Sequence, residues 1–206
     1  MPKERLLIVF AKNVLLGKVK TRLAKSIGDV GAFDVYRTLF NITEKQSSRL
    51  ENCDIHIYFS DTIIETKWPE AEKFLQKGND LGERMKNAFD HGFQLGYKKI
   101  IGIGTDLPDL RTEVMNQAFE ALDTSDTVFG PATDGGYYLL GMVNKNDNIF
   151  LNKPWSTSQV LKQTLEELEN SGVTYRLLKE FNDIDTLEDL QKSSLAEQFK
   201  HLYELS

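Results

Sequence analysis

The sequence is poor in cysteine, histidine and proline. Cys53 is the single cysteine among 206 residues, so an intrachain disulfide is excluded and a reducing compartment is expected. The three histidines, His56, His91 and His201, do not stand at the spacing of zinc ligands. Five prolines are spread through the chain without a low-complexity run. These features predict one globular domain over residues 1–206, with neither a disulfide nor a zinc site.

Long apolar runs are also lacking. Leu6–Ala11 is apolar, but Lys12 interrupts it before it reaches the length of a signal-peptide core. No stretch approaches the roughly 18 apolar residues of a membrane span. The sequence therefore predicts a cytoplasmic protein without a membrane span.

Acidic residues outnumber basic ones, which gives a formal net charge of -6. Such a charge argues against a general nucleic-acid-binding protein, and we expect no nucleic-acid partner. Local basic clusters can still hold a small polyphosphate, so a nucleotide ligand remains compatible with the composition.

Lys98–Leu110 is the stretch around which the rest of the chain is organised. Its β-branched apolar residues predict a buried strand that ends at Thr105-Asp106. Open α/β sheets bind ligands beyond the carboxyl ends of such strands, and Asp106 could hold a divalent metal against a diphosphate there. The structural alternative is that Asp106 only closes a turn, since Asp hydrogen-bonds its own backbone well in such places.

A basic loop follows the first predicted strand, Arg5–Ala11. Residues 12–22 carry lysines and Arg22 around Gly17. In nucleotide-binding α/β proteins, a loop here approaches phosphates with backbone N–H groups, a glycine and cations. The loop lacks the glycine and Ser/Thr spacing of a Walker A motif, and a solvated basic loop is the alternative interpretation.

Residues 126–132 and 137–143 read as two strands joined by Thr133–Gly136. Asp-Gly between apolar runs is a strong hairpin signal, so a plain turn is one interpretation. Pro131, Asp134 and two glycines together also suit a loop whose backbone passes close to a ligand.

Two further segments have both structural and functional interpretations. Ser156 and Gln159 fit a helix-capping box, while the neighbouring Trp155 could line a pocket. Asp185 and Glu188 fit a helix N-cap pair. If one of the carboxylates of Asp183 and Asp185 caps the helix, the other could complete a metal site with Asp106. Both could also do so together.

The apolar periodicity predicts the other elements. Helices are expected at about 30–50, 80–97, 111–122 and 195–205, a short helix at about 69–76, and strands at 54–60 and 173–178.

Five motifs stand in one order along the chain. They are Phe10-Ala-Lys12 with Gly17-x-Val-Lys20-Thr-Arg22-Leu23, Gly104-Thr-Asp106-x-Pro108, Phe129-Gly-Pro-Ala-x-Asp134-Gly-Gly-Tyr-Tyr-Leu-Leu-Gly141, Pro154-Trp-Ser-Thr157 and Asp183-x-Asp185-Thr-x-Glu-Asp-Leu190. Together they closely resemble a family of mostly uncharacterised bacterial transferases in the nucleotide-diphospho-sugar transferase superfamily. Some of its members are named arsenosugar-biosynthesis glycosyltransferases, and its relatives include guanylyltransferases. The resemblance runs from about Leu6 to Leu190.

The resemblance implies a three-layer α/β/α sandwich with a mostly parallel central sheet. It implies catalytic roles for Asp106 and Asp134, and a divalent metal, Mg²⁺ or Mn²⁺, held by Asp106 and Asp185. The implied nucleotide and phosphate contacts are Ala11, Lys12, Gly17, Lys20, Arg22, Gly104 and Thr105. The implied acceptor loop contains Gly135, Gly136, Tyr137 and Trp155.

The chain departs from the family pattern at two places. Val14 and Leu16 stand where members usually carry prolines, which alters the stiffness of the loop. Gly104-Thr-Asp106 is not a true DxD motif, so the metal geometry of other glycosyltransferases does not transfer directly.

These features predict a metal-dependent transferase that uses a nucleotide-sugar donor on a small-molecule acceptor. The alternative is a nucleotidyltransferase that joins an NTP to a small phosphorylated acceptor and releases pyrophosphate. A non-catalytic nucleotide-binding module is the third possibility.

Overall fold

The computed structural model describes residues 4–204 and contains one mostly parallel sheet of seven strands. The strands are β1 (Arg5–Ala11), β2 (Asp54–Phe59), β3 (Glu72–Leu75), β4 (Lys99–Ile103), β5 (Thr127–Pro131), β6 (Tyr137–Met142) and β7 (Tyr175–Leu177). The helices are α1 (Thr21–Ser47), α2 (Leu81–Gln94), α3 (Thr112–Ala121), α4 (Val160–Asn170) and α5 (Leu187–Lys192), with 3-10 turns at Asp147–Ile149 and Lys200–Leu202. Among the described residues, no helix is both long and apolar enough to cross a membrane.

Strand β1 lies inside the sheet because its side chains are apolar on both faces. Leu7 and Val9 pack with residues of α1 and α3 on one face, and Leu6 and Ile8 pack with residues of α2 and α4 on the other. A strand covered on both faces needs such a continuous apolar sequence. The expected three-layer α/β/α sandwich is therefore confirmed.

The strand order is β3-β2-β1-β4-β6-β5-β7. Strand β1 pairs in parallel with β2 on one side and with β4 on the other, so the carboxyl ends of all three strands lie at one edge. Strand β6 is antiparallel to β4 and β5, and therefore begins at that same edge. The connections that lead to the strands on the two sides of β1 run in opposite directions. A crevice therefore opens between them at this edge.

Helix α1 begins earlier than the apolar periodicity predicts. It starts at Thr21 instead of near Val30, and Gly28 (φ 77°) separates its first turns from the rest. Those first turns carry Leu23, which is buried in a small core with Leu190. The early start depends on a partner far along the chain, so a local sequence window does not reveal it.

Two predicted helices are wrong. Residues 69–76 do not form a helix; Glu72–Leu75 forms β3, a strand parallel to β2, and the ring of Tyr58 stacks on that of Phe74 at 5.0 Å. Pairing with an exposed strand edge prevails over the local helical preference. Residues 195–204 form turns and one short 3-10 helix, and the predicted end of that helix at Leu205 lies outside the described residues.

Gly141 in β6 provides a test of how closely the sheet is packed. A Cβ atom there would lie 2.6 Å from Val128 Cγ1 and 2.8 Å from Ile101 Cγ2. We expect Gly141→Ala to lower the free energy of unfolding by about 1–3 kcal/mol, as overpacked cores do. Urea denaturation followed by circular dichroism measures this.

The matched control is Gly104→Ala, because a Cβ atom at Gly104 meets nothing within 4 Å. Its stability should stay within about 0.5 kcal/mol of wild type. Equal stability of the two variants would contradict the packing of β6 described here.

Candidate functional site

Segments that follow several strands enclose a cavity of about 700 Å³ at the crevice edge. Its wall includes Lys12 after β1, Ser60 after β2, the Gly104–Leu107 segment after β4, and Asp134 in the β5–β6 hairpin. Because neighbouring parallel strands end together, segments far apart in sequence meet here. The volume is that of a small-molecule site.

Buried and partly buried hydrogen bonds connect the first loop to its neighbours. The side-chain amide of Asn13 donates to the backbone carbonyl of Thr62 at 2.7 Å. This bond connects the loop after β1 to the loop after β2. The Tyr36 hydroxyl donates to the carbonyl of Lys12 at 2.9 Å and lies 2.8 Å from the hydroxyl of Thr105. The start of the predicted phosphate loop is therefore held in place by α1 and by the segment after β4.

Three carboxylates meet beside the cavity. Asp106, Asp183 and Asp185 each place a carboxylate oxygen within 4.8 Å of the others. Asp106 follows β4, and the other two flank Ile184, which is completely buried and donates its amide to the carbonyl of Asp106 at 3.4 Å. Burial of Ile184 thus brings both neighbouring carboxylates to Asp106. We call these three residues the acidic cluster.

Lys20 supplies a positive charge to the acidic cluster. Its ammonium lies 3.2 Å from Asp106 Oδ2 and 2.9 Å from Asp185 Oδ1, and its side chain is only 4% exposed. Burial disfavours the charged form, but attraction to Asp106 and Asp185 outweighs it and raises the pKa of Lys20 above its ordinary value. The ammonium is therefore protonated and partly neutralises the cluster.

The Asp183 carboxyl shows how crowded the negative charges are. Burial, followed by repulsion from Asp185, raises the pKa of Asp183 to about 6, although Lys20 acts in the opposite direction. Such a pKa is typical of a carboxylate that lies among like charges. The sequence alone did not decide whether Asp183 joins Asp106. The structure places the carboxylate of Asp183 in the acidic cluster.

The predicted helix caps near these residues are wrong, and this changes the interpretation of Asp185. Helix α5 is capped by Thr186, whose hydroxyl accepts from the Asp189 amide while Asp189 accepts from the Thr186 amide. Asp185 therefore has no capping role and faces Lys20 instead. Likewise α4 begins after Gln159 with no side-chain cap, so Ser156 does not form the predicted box.

The Asp-Gly-Gly loop is a hairpin turn and also lines the cavity. Strands β5 and β6 pair antiparallel on its two sides, and Asp134 Oδ1 accepts from the amide of Gly136 at 2.8 Å. Gly135 has φ 86°, and a Cβ atom there would lie 2.2 Å from the carbonyl oxygen of Ser158. The glycine is therefore required by packing against the segment before α4.

Aromatic side chains cover another part of the cavity wall. The rings of Trp155 and Tyr137 pack edge to face, with 6.3 Å between their centroids. A Cβ atom at Gly82 would lie 2.5 Å from Trp155 Nε1. Burial raises the pKa of Tyr137, and its hydroxyl has no hydrogen-bond partner among the described residues. Gly82 thus serves the packing of Trp155 at the start of α2.

The remaining predicted nucleotide contacts fall into three groups. Lys12, Gly104 and Thr105 line the cavity, whereas Ala11 is in the core and its carbonyl accepts from the Ser60 amide. The other two residues, Gly17 and Arg22, are not among the residues that line the cavity. Gly17 (φ 73°) is an exposed turn residue near Asp29, and Arg22 is exposed with Nη1 3.7 Å from Asp185 Oδ2.

Sequence reasoning missed Arg84 and Tyr36. Arg84 lines the cavity, and its Nε donates to the carbonyl of Gly78 at 3.0 Å. The sequence does hold a signal for Arg84, since it is a cation in the first turns of α2 and follows the glycine of Gly78-Asn-Asp80. This pattern could have identified Arg84 as a candidate site residue. Tyr36 lies within the helix predicted at about 30–50, but a local pattern gives no sign of its role, because its hydroxyl partners lie on other segments.

Solved structures share this fold over their whole length. A protein from Desulfovibrio desulfuricans G20, provisionally assigned as a nucleotide-diphospho-sugar transferase, has 28% identity and a TM-score of 0.86, over 98% of this chain and 100% of that chain. The inositol-1-phosphate CTP transferase from T. maritima has 13% identity and a TM-score of 0.57, over 98% and 97%. CMP:2-keto-3-deoxy-manno-octonic acid synthetase, solved with CTP, has 10% identity and a TM-score of 0.59, over 96% and 99%. The last two are likenesses of fold alone, and the expected nucleotide-diphospho-sugar transferase fold is confirmed.

No match was found among the curated proteins. A bacterial sequence family matches residues 45–157, which contain β4, Asp106 and the hairpin with Asp134. That segment is more than half of the 206 residues. The chain therefore belongs to the family described as "Uncharacterized protein conserved in bacteria (DUF2064)".

Proposed function

We propose that this chain is a metal-dependent transferase that moves a sugar from a nucleotide-sugar donor to a small acceptor. The observation that carries the proposal is the meeting of cationic groups and an acidic cluster at one cavity. Lys12 and Arg84 line that cavity, and Lys20 contacts Asp106 on its wall. The full-length likeness to the D. desulfuricans protein supports this class of donor.

The cations suit a diphosphate. An Arg guanidinium such as that of Arg84 can bind phosphate oxygens with two parallel hydrogen bonds, and Lys12 adds a mobile point charge. Gly104 presents bare backbone to open space, so a phosphate or ribose can approach it closely. These groups would orient the donor and hold the leaving diphosphate.

The acidic cluster fits a divalent metal. Its three carboxylates offer the hard oxygen ligands that Mg²⁺ and Mn²⁺ prefer. Burial and repulsion from Asp185 raise the pKa of Asp183, and a dication would relieve the repulsion. When bound, the metal supplies charge neutralisation for the departing phosphate. We therefore extend the predicted ligand pair Asp106 and Asp185 by Asp183.

The hairpin side of the cavity suits the acceptor. Asp134 uses one carboxylate oxygen to hold the Gly136 amide, and its other oxygen can accept a proton from an acceptor hydroxyl as a general base. The rings of Tyr137 and Trp155 offer an apolar wall beside it. We propose that this loop positions the acceptor and activates its nucleophile.

Nucleotidyl transfer is the second candidate. It is favoured by the fold likeness to the inositol-1-phosphate CTP transferase and to the synthetase solved with CTP. The same cations and carboxylates would then hold an NTP and its departing pyrophosphate. The products distinguish the two reactions: a nucleotide sugar yields free NDP, whereas an NTP yields pyrophosphate.

A ligand panel tests the proposal. Thermal unfolding is measured with NTPs, NDPs and nucleotide sugars, each with and without Mg²⁺ or Mn²⁺. A ligand at about a hundred times its dissociation constant adds roughly 2.7 kcal/mol, which should raise the melting temperature by about 5–10 °C. A metal-dependent rise with nucleotide sugars supports sugar transfer, and a rise confined to NTPs supports nucleotidyl transfer. No rise with any nucleotide contradicts both.

Asp106→Asn tests the role of the acidic cluster in the reaction. The variant removes a charged ligand, so we expect at least about 100-fold lower turnover with the donor that the panel identifies. The control Asp109→Asn changes a carboxylate three residues away that does not line the main cavity, and its turnover should stay close to wild type. Equal turnover in both variants, with circular dichroism showing that each is folded, would exclude Asp106 from the chemistry.

The raised pKa of Asp183 predicts a pH-dependent stability in metal-free buffer. The folded protein keeps the Asp183 proton up to pH of about 6, whereas the unfolded chain releases it near pH 4. This group's contribution to the free energy of unfolding therefore falls as the pH rises from about 4 to about 6. Asp183→Asn removes that fall, so the variant should gain on the order of 1–2 kcal/mol over wild type by pH 7.

Urea denaturation with a chelator present, at pH 4 and at pH 7, measures the difference. Asp109→Asn serves as the reference for changes outside the cluster. If the free energy of unfolding changes between pH 4 and pH 7 by the same amount in Asp183→Asn as in wild type, the raised pKa of Asp183 is disproved.

A further inference from the structure

We propose that the ammonium group of Lys20 is a built-in cation of the acidic cluster. The donor's diphosphate must draw this ammonium away before the metal binds tightly. Metal and nucleotide would then bind cooperatively, and the metal would bind the nucleotide-free protein only weakly. This inference depends on the proposed function, because it concerns the metal and the donor of the same site.

The ammonium occupies the space that a metal would need. It contacts Asp106 Oδ2 at 3.2 Å and Asp185 Oδ1 at 2.9 Å, while the three carboxylates converge within 4.8 Å. A Mg²⁺ ion lies about 2.1 Å from its oxygen ligands. A metal bound to the same two oxygens would therefore stand against the ammonium, with like charges in contact.

The main chain directs Lys20 to this position. Lys20 has a left-handed backbone (φ 47°) immediately before α1, and its carbonyl accepts from the amide of Ala24 at 2.8 Å. The side chain is 4% exposed. By contrast, Lys18 in the same loop is exposed to solvent. The cluster thus holds a cation that belongs to the protein itself.

A diphosphate offers the ammonium an equivalent set of partners. The cavity that receives the donor is lined by Lys12 and also by Asp106, one of the two carboxylates that Lys20 contacts. If Lys20 turns from carboxylate to phosphate oxygens, the carboxylates are left for the metal, and every charge remains paired. Such an exchange makes each ligand raise the affinity of the other by the same factor.

The test measures Mn²⁺ binding, which is independent of turnover. The electron paramagnetic resonance signal of free Mn²⁺ is followed during titration of nucleotide-free wild type, Lys20→Met, Lys20→Arg and Lys18→Met. We expect Lys20→Met to bind Mn²⁺ about 5- to 150-fold more tightly than wild type, the usual range of coupling between sites. Lys20→Arg keeps the positive charge and should bind weakly, as should wild type and the exposed-lysine control.

A second measurement follows nucleotide binding to wild type and to Lys20→Met. Binding of CDP, UDP, GDP and ADP is measured by equilibrium dialysis with EDTA and with Mn²⁺. The nucleoside diphosphate that binds should gain affinity from Mn²⁺ in wild type, and most of that gain should be lost in Lys20→Met.

The outcomes separate the two proposals. If Lys20→Met is folded and binds Mn²⁺ no more tightly than wild type, the displacement of Lys20 is wrong, whatever the nucleotides do. If Lys20→Met does not fold, an affinity of wild type for nucleotide that is the same with EDTA and with Mn²⁺ overturns the inference. Absence of binding by all four nucleotides contradicts the proposed function, while the Mn²⁺ comparison between variants stays readable.

Discussion

The parallel pairing of β1 with a neighbour on each side is the constraint on which the rest of the structure depends. Its register places the carboxyl ends of β1, β2 and β4 at one edge, so the segments after them share a cavity. Both faces of β1 are apolar, which requires helices on both sides of the sheet. The antiparallel β6 begins at the same edge and adds the hairpin to the cavity wall.

Concentrating segment ends at one edge also concentrates charge. Asp106 arrives from β4, and Asp183 and Asp185 arrive from the segment after β7. Three carboxylates so close together repel one another, and the buried ammonium of Lys20 compensates part of that charge. Burial and the repulsion from Asp185 together raise the pKa of Asp183 to about 6. The pH-dependent stability and the proposed metal site thus involve one set of side chains.

Glycines at this edge serve different physical purposes. Gly135 and Gly82 are required by protein atoms, since a Cβ atom at either would overlap Ser158 or Trp155. A Cβ atom at Gly104 would meet no other residue within 4 Å, and Gly104 lines the cavity. The sequence could not distinguish these cases, because the close neighbours lie in distant segments. Of these three glycines, Gly104 is the one that can still be interpreted as a point of close ligand approach.

By itself, the sequence determined the fold class, the central strands and the motif order that identified the family. A continuous apolar run such as β1 suits a strand inside a sheet that is covered on both faces, and β1 is covered in this way. Tertiary structure decided the start of α1, the formation of β3 and the part played by Asp185, whose predicted cap is made by Thr186 instead. It also decided that Lys20 meets a residue 165 positions along the chain. Those outcomes depend on partners remote in sequence, and pairing or burial against such partners prevails over local preference.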